Sequence, residues 1–428
     1  MRAQIPSLTA LRFIAALCVV LSHAVPKIAP SPHPPGWVLL LSQVSAEGMT
    51  LFFVLSGFVI YYNYSETIGQ PWGLRNFFAA RFARLYPLYF VCLSYDLLMQ
   101  FSWYGQVSTA NLAALPYYVT LTQTWIYKPI ADHALVYQFG HIAGVAWSIS
   151  TEWFFYLAFP FLCVVISPLT SIRYRLFAAA LLVVAALSIL VTAVFAGRTI
   201  TEYAVVNFGP VAATQQDGFY RWLLYFSPYA RLFEFTLGCL CASVVVNLRA
   251  APSALEQRFG FWLIIIAVAG TVALHWLMFG TTSSDAQWRH ILLALHMNFG
   301  FAPLLALLIF CCARYQNTIV QILSSRPLVL CGEASYSLYL LHMVVINAFR
   351  YEAPPVTSAR VAIGAALQLI VVIFASIGLS LVTWSLIEVP ARARLRKLLS
   401  RRPVASSAAP IGAPAPAEIA TSGRPLAG

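Results

Sequence analysis

The chain has 428 residues, of which 60% are hydrophobic and only 9% charged, and its formal net charge is +12. Soluble domains carry about 25% charged residues, so this composition, with a mean hydropathy of +0.77, excludes a soluble globular protein. The apolar runs are long and continuous, which excludes a transmembrane β-barrel built from short alternating strands.

In chain order, ten segments are long and apolar enough to cross a bilayer as helices. They run roughly over 8–25, 46–63, 84–102, 144–167, 175–196, 222–247, 260–279, 290–312, 330–349 and 361–387. The expected fold class is therefore an all-α polytopic membrane protein. The first run is read as a span rather than a signal peptide, because Arg12 breaks the apolar core that such a peptide needs. The stretch 110–127 is apolar but holds Pro116 and several polar residues, and it reads as an interfacial or re-entrant segment. The last 26 residues, 403–428, are rich in Ala, Pro and Ser and read as a disordered tail.

Basic residues orient the spans, because cytosolic loops carry an excess of Lys and Arg. With the N-terminus in the cytosol, 17 of the 26 Lys and Arg residues fall on the inner side and 7 on the outer, while Arg12 and Arg231 lie inside spans. Both termini are then cytosolic. The positive charge is thereby accounted for, and no nucleic-acid partner is expected. The 8 cysteines lie in or beside apolar runs, without the spacing of a zinc site or a disulfide framework, and read as small apolar residues.

Charged and titratable residues within spans are costly and mark functional candidates. Arg12 and His23 in LTALRFIAALCVVLSHA are eleven residues apart, which returns a helix to within about 20° of its starting direction and about 16 Å further along. They share one face, with Arg12 near the cytosolic end and His23 near the outer end. Arginine keeps its charge and wants a carboxylate or phosphate. His23 reads either as a snorkelling interfacial residue or as a catalytic imidazole. In RNFFAARFARLYPLY, Arg81 and Arg84 share a helix face and Arg75 points elsewhere. The three form a rim that suits lipid headgroups or a phosphorylated cytosolic ligand.

Further along, Glu152 sits inside the fourth span in AWSISTEWFFYLAFP, where a carboxylate needs a partner. It reads as a structural acid or as a group that orients an imidazole. Glu47, which opens the second span, competes for that role. Arg231 and Glu234 are three apart and are expected to neutralise each other on one helix. His342, in ASYSLYLLHMVVI, reads equally as a polar packing residue or as part of a site. Ser56 and Gly57 in LFFVLSGF do not form a nucleophile elbow and are expected to permit close helix approach. No phosphate loop, dinucleotide fingerprint or metal-ligand motif occurs.

Seven of these pieces, in this order, resemble the acyltransferase-3 family of bacterial membrane O-acyltransferases. They are PSLTALRFIAALCVVLSHA, GMTLFFVLSGFVIYY, RNFFAARFARLYPLYF, AWSISTEWFFYLAFP, PYARLFEFTLGCL, GEASYSLYLLH and the closing IEVP. The likeness spans residues 5–390, the expected membrane-embedded domain. It implies passage of an acyl group, often acetyl, from cytosolic acyl-CoA to a hydroxyl of a glycan or small molecule, in a bacterial inner membrane. Acyl-CoA is then a co-substrate, and no permanently bound cofactor or metal is implied. The family's Arg-x10-His motif maps onto Arg12 and His23, its basic motif onto Arg75, Arg81 and Arg84, and its Trp-Ser-x-x-x-Glu motif onto Trp147, Ser148 and Glu152.

The family often carries Asp before the Leu-Phe-Phe run, where this chain has Met49 or Thr50, with Glu47 the nearest acid. On this resemblance the basic rim holds CoA phosphates, Arg12 binds a phosphate or polarises the thioester, and His23 is either a general base or a transient acyl carrier. Glu152 then orients His23, and Glu47, Trp147 and His342 are candidate substrate contacts. The competing class is a transporter or flippase, since buried charges also line transport routes; such folds often show paired repeats, and none is visible here.

Overall fold

The structure is a computed structural model and describes residues 3–29, 36–139, 143–248, 250–279, 287–349 and 359–400. The helices, in chain order, are α1 (Pro6–Ile28), α2 (Gly36–Gln43), α3 (Ser45–Tyr64), α4 (Gly73–Tyr104), α5 (Thr109–Val119), α6 (Trp147–Ile166), α7 (Ile172–Phe195), α8 (Gly197–Phe208) and α9 (Phe219–Arg221). They continue with α10 (Pro228–Asn247), α11 (Ala254–Phe279), α12 (Gln287–Met297), α13 (Ala302–Arg314), α14 (Thr318–Leu323), α15 (Arg326–Glu333), α16 (Ser335–Ala348), α17 (Ala359–Thr383) and α18 (Val389–Leu399). One two-stranded antiparallel ribbon pairs Pro129–Ile130 with His133–Ala134. The expected tail, 403–428, lies outside the described residues.

Local sequence sets many of the boundaries. Ser227 accepts the Ala230 amide and precedes Pro228, which needs no donor at the first helical position. Ser108, Ser171 and Asn317 cap α5, α7 and α14 in the same way.

Each of the ten segments expected to span coincides with a helix or helix pair. Eight helical stretches are long and apolar enough to cross a membrane, and a ninth arises if α15 and α16, bent by 71°, act as one broken span. The third expected span falls on α4, whose 32 residues extend about 48 Å, although its arginines lower its hydropathy. By contrast, the 11 residues of α5 extend only about 16 Å, too short to cross, in keeping with the interfacial expectation for 110–127.

Burial divides the spans into an inner set and an outer set. In the most apolar windows of α1 and of 219–247, 61% and 67% of residues are buried, against 11% in α7 and 17% in the 363–399 stretch. The exposed faces of α7 and α17 carry Leu181, Val184, Ile189, Ile370 and Phe374. Large apolar side chains turned outward around a more polar centre are what a lipid solvent selects.

The inner helices meet at backbone distance. A Cβ on Gly57 of α3 would lie 2.0 Å from the Phe235 carbonyl oxygen, and one on Gly238 of α10 would lie 2.1 Å from that of Val54. The expected close approach at Gly57 is therefore met by a reciprocal glycine. Arg231 and Glu234, on the same α10, form the expected pair at 3.0 Å with both side chains fully buried. Glu234 also accepts from Thr50 at 2.7 Å, and Arg231 donates to the Tyr225 carbonyl at 2.9 Å.

Candidate active site

An internal cavity opens between α1, α3, α4, α6 and α16. Its lining includes Arg12, Ser56, Arg81, Arg84, Glu152 and Tyr339, with apolar Met49, Phe52 and Leu85 between them. Three guanidinium-bearing residues from two helices thus converge with one carboxylate. Arg12 and Arg84 donate to no protein acceptor among the described residues. Arg81 is held more firmly: Nη2 donates to the Tyr64 hydroxyl at 3.0 Å, and the guanidinium lies 5.1 Å from the Tyr64 ring centre and 5.8 Å from that of Tyr156.

Glu152 accepts from Ser56 at 3.0 Å and from Tyr156 at 2.6 Å. The expected contact between Glu152 and His23 is therefore absent, and the acid belongs to the arginine cavity. Arg75 also departs from the expected rim. Its Nε donates to the Leu399 carbonyl at 3.0 Å, tying α4 to the end of α18, and it does not line the cavity. Trp147 packs in an aromatic cluster, its ring 5.0 Å from Phe226 and 6.1 Å from Phe53, while its neighbour Ser148 faces the cavity.

His23 has a different partner. Its Nδ1 lies 2.9 Å from His342 Nε2, and the rings are nearly parallel at 9°. His342 Nδ1 lies 2.7 Å from the Tyr339 carbonyl oxygen. A carbonyl only accepts, so His342 Nδ1 must carry a hydrogen. With both rings neutral, His342 Nε2 then accepts from His23 Nδ1–H, and the lone pair of His23 is left on Nε2. His342 is fully buried, whereas His23 is partly exposed.

Tyr339 joins the two groups. It lines the arginine cavity, its hydroxyl accepts from Ser148 at 2.8 Å, and its ring centre lies 6.1 Å from that of His342. Glu47 takes no part in this arrangement. Its Oε1 bonds to His275 Nδ1 on α11, so it supports neither His23 nor the polar place before Leu-Phe-Phe, which Thr50 fills by donating to Glu234.

A family model described as an acyltransferase domain matches residues 5–385. The chain belongs to the acyltransferase-3 family. It is thus an O-acyltransferase and a multi-pass membrane protein. This acyltransferase is 26% identical over 363 residues to "Acyltransferase MdmB" of Streptomyces mycarofaciens, covering 80% of the chain and 79% of that protein. It is 25% identical over 403 residues to "Nodulation protein 10" of Rhizobium leguminosarum bv. viciae, covering 92% of the chain and 94% of the relative. Similarity to "O-acetyltransferase OatA" of Staphylococcus aureus reaches 25% identity over 308 residues, 70% of the chain but 45% of OatA. No solved structure matches. The family membership disfavours the transporter reading.

Sequence reading had not singled out Tyr64, Tyr156, Tyr336 or Tyr339 in this acyltransferase. Tyrosine is common in membrane helices; contacts to Arg81, Glu152 and His342 distinguish Tyr64, Tyr156 and Tyr339, while Tyr336 lines the cavity and donates to the Leu85 carbonyl.

Proposed function

We propose that the protein transfers an acyl group, acetyl in the simplest case, from cytosolic acyl-CoA to a hydroxyl of a glycan or small molecule at the outer side of a bacterial inner membrane. The observation that carries this reading is the pairing of an arginine-rich cavity with a histidine pair behind its Tyr339 wall. Arg12 and Arg84, which meet no protein acceptor among the described residues, suit the phosphates of a CoA donor. The acceptor hydroxyl oxygen attacks the thioester carbonyl carbon while its proton passes to His23 Nε2. The C–S bond then breaks, the CoA thiolate leaves with that proton, and an ester remains. Arg12, about 16 Å along α1 from His23, holds a phosphate of the CoA donor and leaves the reacting carbonyl to the histidine end. Glu152, bonded to Ser56 and Tyr156, balances the cavity arginines.

Arg84→Ala should raise the Kd for acetyl-CoA by about 10–100-fold, as expected for a lost charge-assisted bond of about 1.5–3 kcal/mol. Calorimetric titration of the purified protein in detergent measures this; an unchanged Kd removes Arg84 from the donor site. His342 is a positioning residue in this scheme, since it holds the tautomer of His23 and meets no substrate. His342→Ala should lower kcat about 10–100-fold, the scale of a misplaced reactive group, without changing the donor KM. His342→Gln, which keeps an acceptor for His23 Nδ1–H, should recover part of the loss. Equal loss in both variants, or a raised donor KM, would assign His342 another role.

A further inference from the structure

We propose that Glu47, His275 and His296 form a binding site for a divalent transition-metal ion of the zinc class, outside the cavity and the histidine pair. One candidate ligand atom from each of the three lies within 4.8 Å of the other two. The residues come from three helices: Glu47 from the first turn of α3, His275 from the last turns of α11 and His296 from the end of α12. Two imidazoles and one carboxylate form the donor set of many zinc sites with an open fourth position. Tetrahedral zinc with bonds of about 2.0–2.1 Å needs ligand atoms about 3.3 Å apart, so small side-chain rotations would close the cluster around an ion.

Hydrogen bonding around the cluster already has the pattern of a metal site's outer layer. His275 Nε2 lies 3.1 Å from the Leu40 carbonyl oxygen, and His296 Nε2 lies 3.1 Å from that of Gln43. Both carbonyls belong to the last turn of α2, where helix acceptors lack internal partners. Metal-bound histidines commonly donate their remote N–H to such groups, which fixes the tautomer and the ring direction. The hydrogen on His296 Nε2 leaves its Nδ1 with a lone pair.

The carboxylate makes the second, independent argument. Glu47 is nine-tenths buried, and its Oε2 is shielded from solvent with no hydrogen-bond partner among the described residues. An unpartnered buried carboxylate oxygen is costly, and a cation beside it removes that cost. Oε1 shares one proton with His275 Nδ1, because His275 Nε2 already carries a hydrogen toward Leu40. Metal entry displaces that proton to water, leaving Glu47 ionised and His275 neutral. Phe279 packs on both imidazoles at 5.1 and 4.5 Å, giving the site an apolar wall. A bound ion would cross-link α3, α11 and α12 without touching the reacting groups.

Full-length protein in detergent, stripped with EDTA and dialysed against micromolar zinc chloride, should retain about one equivalent by elemental mass spectrometry. Its Tm should rise with zinc concentration, because the ion binds the folded state. Glu47→Gln and His296→Gln should each weaken zinc binding at least about tenfold, and His296→Cys, which restores a ligand, should recover it. His23→Gln should keep the metal. If the wild-type protein holds no stoichiometric zinc, or if His296→Gln elutes as a single folded species with its zinc intact, the site does not exist. Loss of zinc in His23→Gln alone would move the ion to the histidine pair and overturn the assignment.

Discussion

His23→Ala is expected to lower the acyl-transfer rate by about 10²–10⁴-fold, the usual contribution of a positioned general base, while acetyl-CoA binds with its Kd within about twofold of wild type. The split follows from the separation of the two groups. His23 bonds only to His342 among the described residues, and the arginines that would receive the donor line a cavity that His23 does not enter. Single-turnover transfer and equilibrium binding on the same detergent preparation test both halves. Retained transfer would remove His23 from the chemistry. Loss of donor affinity together with transfer would make it a structural residue whose removal collapses the cavity. Mass spectrometry of surface glycans and lipids from wild-type, deletion and His23→Ala strains would carry the same test into cells and identify the acceptor.

Glu234→Ala and Arg231→Ala are each expected to destabilise the fold by about 3–5 kcal/mol, the cost of leaving one buried charge without its partner. Both side chains are fully inaccessible, and the pair sits where α10 meets α3 at glycine contact. Glu234 also anchors Thr50, and Arg231 holds the Tyr225 carbonyl and lies 4.7 Å from the Tyr225 ring centre. Removing one partner therefore strands several groups. The double replacement Arg231→Met with Glu234→Leu should lose much less, because no charge remains to be desolvated. Unfolding of the detergent-solubilised variants gives both values. Single variants within about 1 kcal/mol of wild type would show that water reaches the pair.

Much of the architecture is legible in the amino-acid order because a bilayer imposes local rules. Backbone groups in lipid must bond within their own helix, so length and apolarity alone place the ten segments, and Pro228 after Ser227 marks where one begins. The Arg231–Glu234 pair is equally local, since three residues on a helix bring side chains together. Arg12, Arg81, Arg84 and Glu152 stand out as charges in apolar surroundings, and the cavity gathers all four.

Which charge meets which partner was decided only by tertiary packing. Read on its own helix, Glu152 is the expected support for His23 and Glu47 competes for that role. In the folded chain Glu152 bonds to Ser56 and Tyr156, Glu47 bonds to His275, and His23 bonds to His342, 319 positions away. Arg75 looks like its neighbours Arg81 and Arg84 in sequence, yet it turns to the α18 carbonyl of Leu399. The Glu47–His275–His296 cluster has no signature in the chain, because its members come from three helices and its orienting carbonyls from a fourth. Sequence by itself determined the spans, their boundaries and the membrane-embedded charges, because those follow from hydrogen bonding and solvation within one helix. Tertiary structure decided the pairings, because contacts between helices depend on rotation and depth, which residue spacing along a single helix does not encode.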